Sequence, residues 1–423
     1  MTISAVVTGM GVASPNGLGT QAYWRAVLRG ESGIGRITRF DPSPYPATLA
    51  GEVPGFDATA HLPGRLIPQT DRSTQLALTA AQWALDDAGL GPDEPALAHA
   101  SVVTSNAAGG FEFGQRELQN LWRKGSGYVS AYQSFAWFYA VNTGQISIRH
   151  GTRGPGSVLV AEQAGGLDAI GQARRHLRGG TALALTGAVE GALCPWGWAG
   201  LLASGRLSTS RDHARAFLPF DSCAAGHVPG EGGAILVMEE RTSALRRGAP
   251  TVYGEVAGYA ATFDPRPGTG REPGLRRAIL LALADAGLGA ADIGVVFADG
   301  AAVPSLDQAE ADAITAVFGP RGVPVTVPKT MTGRLQSGGA ALDVATALLA
   351  LWHKTIPPTV NVGQLAPGAR IDLVTAAPRR ADIAAALVLA RGHGGFNSAL
   401  VVRATPRGGT GPDTTPDPHD RRS

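Results

Sequence analysis

Cysteine is almost absent from this chain: Cys194 and Cys223 are the two in 423 residues. Two thiols cannot form a disulfide framework, and their spacing is not that of metal ligands. We therefore expect reduced, partly buried thiols and no metal site.

Charged residues are also scarce, at 17%, and the formal net charge is only +2. So balanced a charge gives no reason to expect nucleic acid as a partner.

Long apolar runs are missing as well. None reaches the ~18 residues that a membrane span requires, and no charged leader precedes Ile3. The sequence therefore predicts a soluble, cytoplasmic protein that does not bind a membrane. Its basic pairs, such as Arg174-Arg175, fall within or just after predicted helices, where a solvated face is the usual explanation.

Glycine is abundant, with 58 residues, which suits tightly packed α/β layers. Strand-like and helical patterns alternate in the first part of the chain: strands at 5–7, 101–104, 158–161, 182–186 and 234–237, helices at 73–87 and 164–177. A connection rich in Pro and Gly follows, around 247–250 and 264–273. A second cycle then begins: helix 274–286, strands 295–298 and 323–327, helix 340–352, and a hairpin of 384–390 with 398–402.

The length exceeds one ordinary core, so we predict two halves, 1–245 and 250–405. Residues 406–423, rich in Pro, Thr, Gly and Asp without an apolar period, are predicted to be a disordered tail. Gly9-Met10-Gly11 follows the first strand-like run as in a dinucleotide-binding turn, but Pro15 breaks that pattern. We interpret this segment as a structural tight turn.

A candidate catalytic position lies where the strand-like run 159–161 meets a Gly-rich turn and a helix. Gln163 stands there, followed by the small residues Ala164, Gly165 and Gly166. Small residues allow a sharp turn, which would push side chain 163 to the mouth of a pocket. The free N–H groups of the helix that follows would then favour an anion at that side chain.

A cysteine at this position would have a lowered pKa and would carry an acyl group as a thioester. The carboxamide of Gln163 cannot do so, although its N–H groups can donate hydrogen bonds to a carbonyl or an enolate. The surroundings are therefore typical of a catalytic site, while the nucleophile is missing.

The segment around Gln163 resembles the active-site elbow of β-ketoacyl synthases of the thiolase superfamily. With Gln in place of Cys, it resembles the chain length factor, the ketosynthase β subunit of bacterial type II aromatic polyketide synthases. Residues 298–304 are similar to the loop of the first catalytic His, with Asp299 at the His position. Residues 329–334 are similar to the loop of the second His, with Lys329 kept and Arg334 replacing the imidazole. Residues 392–397 resemble the Gly-rich hairpin, and the resemblance covers nearly the whole chain.

The resemblance implies a thiolase-like α/β fold of five layers, αβαβα, from two similar halves. It also implies that the Cys-His-His condensing triad is gone, and the chemistry of the replacements agrees. An ionised Asp299 would repel the thioester oxygen and malonyl carboxylate that neutral imidazoles bind. Arg334 stays protonated and cannot act as a base. Asp299 and Arg334 either keep a chemical role or simply pair with each other or with backbone groups.

Phe111, Gly114 and Leu118 are spaced i, i+3 and i+7, so they share one face of a predicted helix. The resemblance places them, with Phe135, on a buried tunnel at the heterodimer interface that holds the growing poly-β-ketone. Gly114 and Leu118 are too small or too flexible to close such a tunnel, which predicts a roomy pocket and a longer polyketide backbone. The alternative is that all four are ordinary core residues. Five aromatic residues within 132–139 form a cluster that belongs to a core or an interface.

Two functions of different classes fit these residues. In the first, the chain is a non-condensing partner that binds a ketosynthase α subunit and sizes the polyketide chain. In the second, Gln163 stabilises the enolate formed when the chain decarboxylates malonyl groups on an acyl carrier protein. Both imply a substrate carried on phosphopantetheine and no bound cofactor. An acyltransferase that uses Cys194 or Cys223, the latter with His227 as base, ranks last.

Overall fold

The computed structural model describes residues 3–266 and 268–405; the predicted disordered tail, 406–423, lies outside these residues. The strands of the described residues are β1 (Ala5–Ser14), β2 (Gly17–Leu18), β3 (Ile34–Arg36), β4 (Leu49–Gly51), β5 (Ser101–Ser105), β6 (Gly156–Leu159), β7 (Leu183–Glu190), β8 (Gly232–Glu240), β9 (Gly254–Phe263), β10 (Val295–Phe297), β11 (Pro324–Thr326), β12 (Thr355–Ile356), β13 (Asp372–Leu373), β14 (Arg379–Arg380), β15 (Ala385–Arg391) and β16 (Phe396–Arg403). The helices are α1 (Thr20–Leu28), α2 (Arg72–Asp87), α3 (Pro95–Ala98), α4 (Phe111–Lys124), α5 (Gln133–Ala136), α6 (Val141–His150), α7 (Gly165–Arg178), α8 (Pro195–Leu202), α9 (Arg241–Arg246), α10 (Leu275–Ala286), α11 (Pro304–Phe318) and α12 (Ser337–His353).

The main sheet repeats one strand order twice. Its order is β13-β11-β10-β15-β16-β9-β1-β8-β7-β5-β6, with β2 beside β1. In the N-terminal part, β1-β8-β7 pair antiparallel and β7-β5-β6 pair parallel. In the C-terminal part, β9-β16-β15 pair antiparallel and β15-β10-β11 pair parallel. The two parts join where β1 pairs antiparallel with β9 at Val6 and Val7.

Helices lie between the two parts of the sheet and on both outer faces. α7 and α12 are central, and the buried residues of α12 run without a break from Ser337 to Leu351. A helix that is apolar all round is typical of such a buried layer. α2 packs on the N-terminal strands through residues such as Leu78, and α10 packs on the C-terminal strands through residues such as Ile279. The arrangement is the five-layer αβαβα fold that the resemblance implies.

The prediction of a tight turn at Gly9-Met10-Gly11 is wrong, because these residues lie inside the long strand β1. Their function is close packing against α2. A Cβ at Gly9 would lie 2.1 Å from the carbonyl oxygen of Ala84, and one at Gly11 would lie 1.9 Å from that of Ala80. The glycines therefore let the strand approach the helix backbone.

Strand β9 was not predicted, although it joins the two parts of the sheet. Its sequence is rich in small residues, and Gly258 packs against α10 as Gly9 packs against α2: a Cβ there would lie 2.2 Å from the carbonyl oxygen of Ala282. The prediction of a solvated face for Arg174 is also wrong. Arg174 is buried, pairs with Asp285 and donates a hydrogen bond to the carbonyl oxygen of Ala257.

Candidate active site

The elbow that carries Gln163 turns at a different residue from the one predicted. Gln163 belongs to a 3₁₀ turn, Glu162–Ala164, that leads directly into α7. The left-handed conformation falls on Glu162, with φ 48°, and not on the glycines after Gln163. A residue with a Cβ adopts this conformation at a cost, so the surroundings must hold it there.

Gly165 and Gly166 are needed for packing at the start of α7. A Cβ at Gly165 would lie 2.2 Å from Oγ of Ser105, and one at Gly166 would lie 2.2 Å from the carbonyl oxygen of Ser337. The helix therefore begins in close contact with β5 on one side and α12 on the other. The glycines do follow the elbow, as the sequence indicated. They are required there because α7 packs closely against its neighbours, and not because the chain turns at them.

Gln163 is fully buried, so its predicted position at a pocket mouth is wrong. Its carboxamide packs against the first turn of α12, where a Cβ at Gly339 would lie 2.9 Å from Nε2. Neither Nε2 nor Oε1 has a hydrogen-bonding partner among residues 3–266 and 268–405. An amide buried in this way destabilises the fold unless a partner or ligand satisfies it.

A cavity of about 740 Å³ lies beside the elbow. Glu162 lines it, and Gln163 does not. The wall also includes His227, Asp299, Arg334, Arg391 and the turn of the β15–β16 hairpin. Two of the predicted site residues, Asp299 and Arg334, therefore face a shared space, from which Gln163 is separated.

Asp299 and Arg334 form a buried ion pair. Nη1 of Arg334 lies 2.8 Å from Oδ2 of Asp299, and the two side chains are 6% and 1% exposed, respectively. Nη2 of Arg334 donates to the carbonyl oxygen of Arg391, and the N–H of Arg391 donates to Oδ1 of Asp299. Charges and hydrogen bonds are thus matched within the group, as a buried ion pair requires.

The pKa values follow from this pairing. Burial alone would raise the pKa of Asp299, but the charges of Arg334 and Lys329 outweigh burial and hold the pKa below its ordinary value. Burial opposes the charge of Arg334, but Asp299 and Glu162 raise its pKa above the ordinary value. Both groups are therefore ionised near neutral pH, so neither can exchange a proton as a catalytic imidazole does.

Lys329 is held by two contacts in the core. Its Nζ lies 2.6 Å from Oδ2 of Asp343 and donates to the carbonyl oxygen of Ala298. Burial raises the pKa of Asp343 to about 6, against the opposing charge of Lys329. Glu310 accepts hydrogen bonds from the N–H groups of Asp299 and Gly300, at 2.7 and 2.9 Å, and so fixes the loop of Asp299.

Sequence reasoning missed three acids that organise this site: Glu162, Glu310 and Asp343. Glu162 was visible as a charged residue at an elbow, in a chain where charge is scarce. Glu310 and Asp343 lie on α11 and α12, and nothing local in the sequence links them to the loops that they hold.

The four predicted tunnel residues lie on or near α4, and Trp196 of α8 joins three of them. The rings of Phe111 and Trp196 have centroids 4.6 Å apart. A Cβ at Gly114 would lie 3.2 Å from Cζ3 of Trp196. Leu118 and Trp196 line a surface groove of about 240 Å³. Phe135 lies half-buried on the short helix α5. The indole thus occupies part of the space that the missing side chain of Gly114 leaves.

A set of large apolar side chains around α4, α5, α6 and the end of β6 is exposed in the single chain. Trp122 is the most exposed, at 81%. The set includes Leu118, Trp122, Tyr128, Tyr132, Trp137, Phe138, Tyr139, Ile148, Val160 and Trp196. Strand β6 has one neighbour, β5, so its other edge is free within the described sheet. Exposed aromatic residues beside a free strand edge are typical of a protein interface.

Neither thiol has the setting of an activated nucleophile. Cys194 is buried, and burial raises its pKa to about 11. Cys223 is exposed and does not line the cavity. Within the described residues, no helix is both long enough and apolar enough to cross a membrane.

Comparison with known proteins identifies the family. The model of the β-ketoacyl synthase N-terminal domain matches residues 4–244, and that of the C-terminal domain matches 253–363. The tetracenomycin polyketide synthase ketoacyl synthase beta subunit of Streptomyces glaucescens is 62% identical over 399 residues, 94% of this chain and 98% of that protein. The actinorhodin polyketide putative beta-ketoacyl synthase 2 of Streptomyces coelicolor is 61% identical, with 95% and 98% covered.

Solved structures agree with the sequence comparison. The ishigamide ketosynthase/chain length factor superposes with a TM-score of 0.87 at 28% identity, covering 96% of this chain and all of that chain. A type II PKS ketosynthase in complex with its acyl-carrier protein superposes with a TM-score of 0.85 at 26% identity, again covering 96% of this chain and all of that chain. The chain therefore belongs to the β-ketoacyl synthase family, whose chemistry is acyl transfer. Within that family it groups with the polyketide ketosynthase β subunits, as the resemblance implied.

Proposed function

We propose that this chain is the non-condensing β subunit, or chain length factor, of a type II ketosynthase that builds aromatic polyketides. The observation that carries the proposal is the buried Asp299–Arg334 pair. A condensing site needs a thiolate and two imidazoles. This chain offers a buried amide and two mutually neutralised charges in their place, and none of these three side chains can hold an acyl group as a thioester or receive a proton.

Chemistry must then come from a partner, which we assign as a ketosynthase α subunit in a heterodimer. The free edge of β6 and the exposed aromatic residues around α4 and α5 support this assignment. Trp122 in particular would be costly to leave in water. We propose that the growing chain is delivered as a thioester on the phosphopantetheine of an acyl carrier protein, and that this subunit holds no cofactor of its own.

Chain length would be set where Phe111, Gly114, Leu118 and Phe135 meet the partner. The missing side chain of Gly114 supports a roomy tunnel, and Trp196 beside it limits that room. We keep the division into halves at 1–245 and 250–405 as part of the proposal, since the repeated strand order supports it.

One observation favours the second candidate, decarboxylation of malonyl groups: both amide atoms of Gln163 lack a partner within the described residues. A malonyl thioester carbonyl or its enolate would satisfy them. The burial of Gln163, and its absence from the cavity wall, count against this function because the substrate would have to displace packed protein to reach it.

Reconstitution separates the two functions. This chain, a cognate α subunit, acyl carrier protein and malonyl donor are combined, with controls that lack each subunit, and the products are weighed by mass spectrometry. A long polyketide from the complete pair alone supports the chain length factor. The same product from the α subunit alone would reject it, and condensation by this chain alone would contradict the loss of the condensing triad. Release of acetyl product by this chain alone would favour the decarboxylase.

A further inference from the structure

The turn of the β15–β16 hairpin, residues 392–395, is one wall of the cavity beside the elbow. Gly394 and Gly395 have φ values of 89° and 106°, which glycine adopts without strain. A Gly-rich turn is flexible unless other contacts hold it. In this chain, the N–H of Asp264 donates to the carbonyl oxygen of Gly395 at 2.8 Å, and further contacts come from the residues that stand in place of the catalytic groups and from their neighbour Glu162.

Three of the hydrogen bonds that hold the hairpin come from the side chains of Glu162, Asp299 and Arg334. The N–H of His393 donates to Oε2 of Glu162 at 2.8 Å. The N–H of Arg391 donates to Oδ1 of Asp299 at 3.0 Å. The carbonyl oxygen of Arg391 accepts from Nη2 of Arg334 at 2.7 Å. Each of these bonds has a carboxyl or guanidinium group as one partner, and hydrogen bonds to such groups are stronger than bonds between two amides.

The fastened hairpin lies directly on the elbow. A Cβ at Gly392 would lie 2.2 Å from the carbonyl oxygen of Ala161, two residues before Gln163. Glu162 connects the parts: it belongs to the elbow, lines the cavity, bonds to the hairpin, and has Oε1 4.0 Å from Nε of Arg334. These contacts also explain why Glu162 keeps its left-handed conformation.

We propose that Glu162, Asp299 and Arg334 form a clasp that holds the hairpin turn against the elbow and closes the path from the cavity to Gln163. Glu162 acts as a positioning residue, since it fixes the backbone of His393. Asp299 and Arg334, which stand in place of the catalytic imidazoles, thus acquire a structural function. Glu162, their neighbour at the elbow, shares it. The clasp goes beyond the proposed function and does not depend on it, because it concerns access to a buried side chain.

A thiol introduced at the buried position can report that access. The parent protein is the full chain with Gln163→Cys and Cys223→Ser, labelled with iodoacetamide and analysed by peptide mass spectrometry. Adding Glu162→Ala removes the acceptor of the His393 N–H, and we expect the introduced thiol to react about tenfold faster. Deuterium uptake of the peptide that contains residues 392–396 should rise in parallel.

Two controls test whether the effect is local. Glu162→Gln keeps an oxygen acceptor, so labelling of the introduced thiol should stay within about threefold of the parent. Glu31→Ala breaks the exposed pair with Arg29 and should leave that labelling unchanged. Cys194, which is buried away from the hairpin contacts, should keep its slow reaction in every variant.

The proposal fails if Glu162→Ala leaves both the labelling of the introduced thiol and the exchange of the turn unchanged. An equal increase in the labelling rate of Cys194 in Glu162→Ala would also overturn the proposal, because the substitution would then loosen the whole fold. The same labelling in Asp299→Asn with Arg334→Met, which removes both buried charges together, tests the other half of the clasp. It should also expose the introduced thiol, and an unchanged rate there would restrict the effect to Glu162 and contradict the three-residue clasp.

Discussion

Arg334 and Asp299 contact each other at 2.8 Å, and both also bond to the backbone of Arg391. Removing one partner leaves an uncompensated charge in the core. We expect Asp299→Ala to lower the free energy of unfolding by about 3–5 kcal/mol. Asp299→Asn with Arg334→Met should cost clearly less, because no charge stays unpaired. Urea unfolding of the three proteins measures this, and a loss under about 1 kcal/mol for Asp299→Ala, as in exposed pairs, would contradict the prediction.

Glu190 predicts a distinct pH dependence of stability. It is fully buried, accepts hydrogen bonds from Ser337 and from the N–H of Ala107, and burial raises its pKa to about 7. Between its unfolded pKa of about 4.3 and the folded value, the native state binds more protons than the unfolded state. The contribution of Glu190 to the free energy of unfolding therefore falls as pH rises. The free energy of unfolding of Glu190→Gln, relative to that of the natural protein, should therefore rise by about 2–4 kcal/mol from pH 4.5 to pH 8. A difference that does not change with pH would show that Glu190 is ionised in both states.

Gly114 should control product length through Trp196. Even a Cβ at Gly114 would lie 3.2 Å from Cζ3 of Trp196, so the side chain of Gly114→Leu would crowd the indole and fill space assigned to the polyketide. We expect a shorter product from the reconstituted pair, measured by mass spectrometry. Gly64→Leu, in an exposed turn with nothing within 4 Å of the added Cβ, is the matched control and should leave the product unchanged. A normal yield of unchanged length from Gly114→Leu would place the tunnel elsewhere.

Gln163 should be replaceable by an apolar residue of similar size. Its amide atoms lack partners within the described residues, so Gln163→Met removes a buried unsatisfied group and should raise the free energy of unfolding by about 1–3 kcal/mol. If the chain acts only by sizing the polyketide, the pair that contains this variant should make the same product at the same rate. A large fall in rate, with pairing intact, would mean that the amide binds substrate.

Trp122 should contribute to pairing without contributing to the fold of the single chain. It is 81% exposed, so Trp122→Asp should leave thermal unfolding of the free subunit unchanged. A charge at an apolar interface should weaken binding to the α subunit about 100-fold or more, measured by light scattering and titration. Phe263→Asp, an exposed aromatic residue beside the cavity, is the control. If Trp122→Asp and Phe263→Asp weaken binding to the α subunit equally, the interface does not lie at α4 in particular, and the assignment is wrong.

Much of the fold follows from local patterns. The strands at β5, β7 and β8 and the helices α2, α7, α10 and α12 lie within a few residues of the predicted ranges. Their apolar periods are set by burial on one or both faces, which leaves a trace in the sequence. β9 left no such trace, because its small residues serve contact with α10 and do not alternate by polarity.

The candidate site was predictable in identity and less so in geometry. The proposal that Gln163, Asp299 and Arg334 replace the catalytic residues rests on the sequence motifs. The turn of the elbow was predicted at 164–166 but falls on Glu162, where the contact with His393 helps to hold it. Trp196 was not recognised, because its contact with Gly114 spans helices far apart in the chain.

The sequence by itself determined the family of the chain and led to the proposed loss of condensing chemistry, since both inferences depend on which side chains stand at fixed motif positions. Only the tertiary structure decided what the replacements do. The ion pair between Asp299 and Arg334 and the hydrogen bond between Glu162 and His393 join segments 35 and 231 residues apart. Such contacts arise because the layers of the fold bring distant loops to one edge of the cavity, and no local pattern of residues encodes them.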